Sequence, residues 1–294
     1  ITALDYWIAD HLRDLDEAGL ADDTIVFFYS DHGVGLPGCK KWVWDWGLRV
    51  PLIIHFPPKY RHLAPADPGG VCNRLVSFVD FAPTLLSLTR VPIPENMQGR
   101  AFLGPQAGAE REYAFAIRDR MAERYDVVRV VRDRQFQYHR NFMPHLPWSQ
   151  YVSYTEQMPT MQVWRTMHEQ GRLGAAQEWY FQPKPSEELY DLKDDPHMLN
   201  NLANDPDFAA VVDRMRAQLR RWQLRTRDLG MLTEYEMHRR AEGSTQFEVG
   251  QSTDLYPLDR ILPVAELAGE QDSENVAQLA AHLTDGEPAV RWWA

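Results

Sequence analysis

The run TIVFFYSDHGVGLPGCKKWVWDWGLRVPLIIHFP, Thr24 to Pro57, constrains this chain more than any other stretch. Thr24 to Tyr29 is almost continuously apolar and rich in β-branched and aromatic residues, the pattern of a strand covered on both faces in a parallel sheet. Val50 to Phe56, opened by Pro51 and closed by Pro57, reads as the next strand. Ahead of them Thr2 can cap a helix whose Leu4, Trp7, Ile8, Leu12 and Leu15 share one face, ending near Gly19. Helix, short turn and buried strand make the repeating half of a doubly wound α/β sheet.

Asp31 and His32 follow the first strand directly, at the carboxyl end where ligands collect in open α/β sheets. A hard carboxylate beside an imidazole nitrogen suits a cation, although calcium prefers six or more oxygen donors and two residues are only part of such a site. An Asp that caps the following turn and a His hydrogen-bonded in a loop account for the same pair without any metal. A lysine, Lys40 or Lys41, then returns toward them as a compact point charge suited to an anion.

The order SDHG, glycine-rich loop, lysine, aromatic-acidic pair Trp44-Asp45, Gly47 and RVPLII is similar to the sulfatase family of the alkaline-phosphatase-like superfamily. Phe78 to Phe102 (FVDFAPTLLSLTRVPIPENMQGRAF) resembles that family's helix and QGRSF-type turn, and Glu188 to Ala203 (ELYDLKDDPHMLNNLA) its LYDL segment. Arg118 to Pro159 is similar to bacterial sulfatases related to the heparan N-sulfatases, a narrower likeness. The resemblance implies that Asp31 and His32 ligate one divalent metal, calcium first, and that Lys40, four residues before Trp44, meets sulfate. Lys41 is then expected to be a solvated neighbour. Trp44 stands where the family commonly has tyrosine, and the loop GVGLPGC lacks the histidine many members place there. The family's nucleophile motif, Cys or Ser followed by x-Pro-x-Arg, is not present: Cys39 lies in GCKKW and Cys72 in VCNRL. The chain is accordingly expected to be the second half of a sulfatase. The formylglycine would lie in the missing amino-terminal half, and the piece alone would be inactive.

The expected fold is α/β, the second half of a doubly wound sulfatase-type sheet with a smaller α+β subdomain and the start of a helical repeat. Residues 1–105 read as catalytic core. Residues 106–230 read as the smaller subdomain, with strands at Tyr113–Ile117, Val127–Val131 and Phe136–Arg140. A helix then starts at Asp205-Pro206 and stops at Gly230, with Phe208, Val211, Val212, Met215, Leu219 and Trp222 on one face. Its six arginines are expected to form a solvated, salt-bridged face. Residues 231–262 read as a linker or surface strap. Residues 263–294 look like the opening helices of a HEAT-type repeat and a possible protein-binding surface.

A net charge of −11 argues against nucleic acid as a partner, and no run approaches the roughly 18 apolar residues of a membrane span. Two cysteines in unlike contexts give no disulfide framework. Arg118, Arg120 and His145 are the candidates for reading a substrate sugar, with Lys40; the run RDRMAERYD serves equally as a solvated charge run. Trp148 could face a sugar ring or simply pack its loop. The expected function is hydrolysis of a sulfuric ester or sulfamate on a sulfated carbohydrate. A phosphodiesterase or phosphonate hydrolase of the same superfamily and a non-catalytic binding remnant are the alternatives. Export to the periplasm or outside the cell is favoured by the resemblance alone.

Overall fold

The computed structural model describes residues 1–294. The chain divides into two compact units that interleave along the sequence, Ile1–Asp31 with Arg49–Ala114, and His32–Leu48 with Phe115–Ala294.

In the first unit a helix, Thr2–Glu17, precedes strand β1 (Val26–Tyr29) and strand β2 (Leu52–His55). β1 and β2 pair antiparallel, with Val26 opposite His55 and Tyr29 opposite Leu52. This corrects the expectation of a parallel, doubly covered strand. A parallel neighbour needs a crossover connection, usually a full helix; between β1 and β2 the only helix is the short Asp45–Leu48, and the chain returns running the opposite way. Burial agrees, since β1 is half-buried and Tyr29 and Ile53 are exposed. The amphipathic helix forms as foreseen, yet none of its residues is buried and Leu4, Trp7 and Leu12 all face solvent.

Further along this unit, Ser77 and Asp80 close a capping box around the turn Phe78–Asp80, which runs into the helix Phe81–Leu88. Asp80 stands at the N-cap position of that helix but does not cap it. Its buried carboxylate accepts from the Ser77 N–H (3.2 Å), the Arg100 N–H (3.0 Å) and Arg111 Nε (2.6 Å). One carboxylate thereby holds the helix and the QGR turn of the Phe78–Phe102 segment together.

The second unit is built on a four-stranded antiparallel sheet in the order β3 (Ala114–Arg118), β4 (Val128–Arg132), β5 (Phe136–Asn141), β6 (Glu187–Asp191). Val130 faces His139 across β4 and β5, and Tyr138 faces Leu189 across β5 and β6. The three expected strands are present, and the ELYD sequence supplies the fourth. The helix Ala209–Thr226 buries Val212, Met215 and Leu219. Trp222 stacks on Phe115 of β3 with ring centres 4.9 Å apart. Asp205 caps its lead-in turn by accepting from the Asp207 N–H. Its polar side is salt-bridged as expected, through Arg214–Asp133, Arg216–Glu187 and Arg220–Glu266. The helix stops earlier than Gly230, at Arg227, which adopts the left-handed conformation (φ 57°).

Residues 231–262, expected as a linker, are folded. They carry the helices Glu234–Arg240 and Gln246–Gln251 and the start of Leu258–Glu270. Met231, Leu232, Val249, Tyr256, Leu258 and Ile261 are fully buried in one apolar cluster. The polar residues that suggest a linker lie outside; widely spaced apolar residues on short helices supply the inside. The helices Val276–His282 and Pro288–Trp293 complete this part, with Trp293 donating its indole N–H to the Met231 carbonyl (2.9 Å). No helix is long and apolar enough to cross a membrane.

Candidate active-site loop

The segment after Asp31 folds as a closed loop within the second unit. Its ends meet where the Gly33 N–H donates to the Gly47 carbonyl (3.2 Å). Glycine is required at both positions: a Cβ on Gly33 would lie 2.0 Å from the Trp46 carbonyl oxygen, and one on Gly47 2.4 Å from that of Cys39. Inside the loop the Lys40 N–H donates to Val34 O (3.1 Å) and Trp46 Nε1 to Gly38 O (2.5 Å). Trp42, Val43 and Trp44 then plunge into an aromatic core with Trp148, Tyr180 and Tyr190. Trp44 is stacked on Trp42 (5.4 Å) and lies 5.2 Å from Trp179, ring centre to ring centre. The Gln137 amide donates to Val43 O (2.8 Å), and Asp45 pairs with Arg132 of β4. Packing against the sheet therefore fixes the backbone on which Lys40 stands.

His32 opens the loop. Its Nδ1 lies 2.7 Å from the Gly33 carbonyl; a carbonyl can only accept, so Nδ1 donates. A metal-ligating imidazole commonly donates its other ring N–H to a backbone carbonyl in this way. Asp31, its neighbour in sequence, adds an exposed carboxylate at the end of β1. By their chemistry, a carboxylate and an imidazole are two of the donors a cation site can use. No group of three or more His, Cys, Asp or Glu gathers in the chain to complete one, so a six-coordinate cation would need oxygen donors beyond these two residues.

Lys40 Nζ donates to the Tyr154 hydroxyl (3.3 Å), and Lys41 Nζ lies 4.2 Å from the centre of the same ring. Lys41 is thus held on an aromatic face and is not the solvated neighbour expected. Tyr154 was not singled out by sequence: it lies 114 residues from Lys40, and no local pattern links them.

Arg118 belongs to the interior, which corrects its expected role at a sugar. It is 2% exposed, donates to Asp126 (2.5 Å) and lies 4.1 Å from the ring of Trp42. Lys184 Nζ completes the group, 2.9 Å from Asp126. Burial lowers the proton affinity of both cations below the ordinary range, and the Asp126 carboxylate opposes that shift. Arg120 is exposed but engaged, donating to Glu234 (2.7 Å) and to the Ala122 carbonyl (2.6 Å). His145 is exposed. Trp148, only 1% exposed, packs its loop and offers no face to a sugar.

The family model described as Sulfatase matches residues 1–91, a span that holds Asp31, His32 and Lys40. An ulvan-active sulfatase of Formosa agariphila is 41% identical over 238 residues, covering 81% of this chain and 39% of the relative. The chain belongs to the sulfatase family. The human N-sulphoglucosamine sulphohydrolase is 31% identical, with 74% of this chain and 45% of that protein covered. Among solved structures, a protein in complex with its substrate D-glucosamine-2-N,6-O-disulfate superposes with a TM-score of 0.53 at 21% identity, over 76% of this chain and 38% of its own. A 2-O GAG sulfatase gives a TM-score of 0.51 at 21% identity, over 74% and 40%. These likenesses establish the sulfatase α/β fold. This sulfatase chain spans less than half the length of the curated relatives it matches.

Proposed function

We propose that this chain is the part of a sulfuric ester or sulfamate hydrolase that presents the sulfate-binding lysine, and that the substrate is a sulfated carbohydrate. The observation that carries this is the clasped loop: Lys40 projects from a backbone locked by Gly33, Gly47, Trp42 and Trp44, in the segment that His32 opens. Lys40 would neutralise a sulfate oxygen and the charge that builds on the leaving group. A divalent cation, calcium first, would when bound polarise the sulfate. Asp31 and His32 would be two of its ligands. The nucleophile, a formylglycine, would come from outside these 294 residues, where the required Cys or Ser motif is not found. The ulvan-active and N-sulphoglucosamine relatives support a sulfated glycan as substrate. A periplasmic or secreted location, a protein contact through the C-terminal helices and their kinship with HEAT repeats belong to the same proposal.

The test is hydrolysis of 4-nitrophenyl sulfate against 4-nitrophenyl phosphate by the complete protein, with Lys40→Ala beside it. Sulfate should be preferred, and Lys40→Ala should lower kcat by about 10²-fold, the cost of losing one transition-state charge contact. Preference for phosphate, or full activity in Lys40→Ala, would overturn it. Calcium titration of Asp31→Ala and His32→Ala should show weakened binding; unchanged binding would remove both from the ligand set. The 294-residue chain with calcium and an aryl sulfate should show no turnover.

A further inference from the structure

Two consecutive lysines, Lys40 and Lys41, converge on one tyrosine, although consecutive side chains of an extended segment point to opposite sides. The convergence is built into the backbone. Lys41 adopts a left-handed conformation, φ 74°, uncommon for a side chain of this size and kept only where the surroundings enforce it. Both ammonium groups come within 5.3 Å of the centre of the Tyr154 ring. Neither has a carboxylate within ion-pair distance, unlike Lys59 or Lys184, which are matched to aspartates. The carboxylates nearest in sequence to Tyr154 are already engaged: Glu156 with Arg165 (2.5 Å) and Glu123 with the Ser153 N–H (2.6 Å). Arg124 holds the same segment from the other side by donating to the Tyr151 carbonyl (2.6 Å). Tyr154 itself is 49% exposed. The result is an open aromatic platform carrying two cations in a chain of net charge −11, with no anion of its own to neutralise them.

We infer that Lys41 binds a second anionic group of the substrate, a carboxylate or a further sulfate beside the one met by Lys40, and that Tyr154 is the residue that positions both lysines. This rests on the assignment of Lys40 to the scissile sulfate. The two contacts of the tyrosine are separable. Its hydroxyl serves Lys40, and its ring face serves Lys41 through the attraction of an ammonium for an aromatic quadrupole. The preferred substrate class is therefore a sulfated sugar with at least two negative charges close together, rather than a monoanionic aryl or alkyl sulfate.

The experiment is calorimetric titration of the complete protein with glucose 6-sulfate and with glucose 3,6-disulfate, which differ only in the second sulfate. Wild type should bind the disulfate about tenfold more tightly, the worth of one charge-assisted contact. Lys41→Asn keeps a residue that tolerates the left-handed backbone and should abolish that ratio while leaving the monosulfate affinity within about twofold; Lys41→Arg should restore the ratio. Tyr154→Phe retains the ring and should keep the ratio, whereas Tyr154→Leu should collapse it. Equal binding of the two sugars by wild type, an undiminished ratio in Lys41→Asn, or identical behaviour of the Phe and Leu variants would overturn the inference. If Lys40→Ala leaves the monosulfate affinity untouched, the assignment of Lys40 fails instead.

Discussion

Trp44 and Trp148 lie with ring centres 4.6 Å apart, each 1% exposed. The first belongs to the loop that follows SDHG, the second to the segment after β5, and their contact is one of those that join residues 32–48 to the C-terminal unit. Truncating either ring should cost about 3–5 kcal/mol, the range for a large aromatic removed from a packed core. Urea denaturation of Trp148→Ala is the direct measurement. If Lys40 meets sulfate as proposed and the loop owes its position to this contact, the variant should also lose sulfate affinity.

Gly230 is required by a buried cation. A Cβ there would lie 1.6 Å from a guanidinium nitrogen of Arg129, which is fully buried between Asp119 (2.7 Å) and Asp228 (2.6 Å). Gly230→Ala should therefore displace Arg129 and destabilise the unit by about 3 kcal/mol or more, as breaking a buried ion pair does. Gly35→Ala, where a Cβ meets nothing within 4 Å, should change stability by no more than about 1 kcal/mol. Comparable denaturation midpoints for the two variants would contradict this account.

The sheet interior predicts opposing pH dependences. Burial pushes the Glu188 carboxyl up to about 7 from an ordinary value of 4.5, against the hydrogen bonds it accepts from Tyr190 and Asn141. The folded state then holds a proton that the unfolded state has lost, so Glu188 removes stability as pH rises from about 4.5 to about 7. Burial lowers His139 to about 3 from 6.5. There the unfolded state holds the extra proton, so the contribution of His139 is present above about 6.5 and is lost as pH falls toward 3. Denaturation midpoints of Glu188→Gln relative to wild type should therefore rise steadily between pH 4.5 and 7. A flat difference across that window would show that Glu188 is already ionised in the fold.

Asp80 is the carboxylate that accepts from the Arg100 backbone N–H and pairs with the Arg111 guanidinium. Asp80→Ala should loosen the Phe78–Phe102 segment and cost about 3 kcal/mol, because Arg111 loses its partner in a largely buried setting. Amide hydrogen exchange in the helix Phe81–Leu88 would report the loss locally. Protection equal to wild type would mean that the helix is held by its apolar contacts alone.

The uncovered face of the first helix has a practical consequence. Leu4, Trp7 and Leu12, with Tyr29 and Ile53 of the β1–β2 pair, are all exposed large apolar groups, a combination that promotes association. The 294-residue chain should self-associate at micromolar concentration, and Trp7→Lys with Ile53→Lys should shift it toward monomer in analytical ultracentrifugation. Unchanged sedimentation would show that these groups are not the adhesive surface.

Local pattern alone determined a good part of this protein. Alternating and β-branched runs marked β3, β4 and β5, helical spacing marked Ala209–Thr226, and the order SDHG, lysine, Trp44-Asp45 marked the family. These are short-range signals, carried by neighbours in sequence. What the pattern could not show depends on contacts between residues far apart. Whether β1 runs parallel or antiparallel to its partner depends on how the intervening chain returns, not on the apolar run itself. Arg118 looks like a surface arginine until Asp126, Trp42 and Lys184 close around it. Residues 231–262 look like a linker until their scattered apolar side chains meet the C-terminal helices. Lys41 shows its place only through Tyr154, because an aromatic platform for two cations is assembled by folding and leaves no spacing rule along the chain.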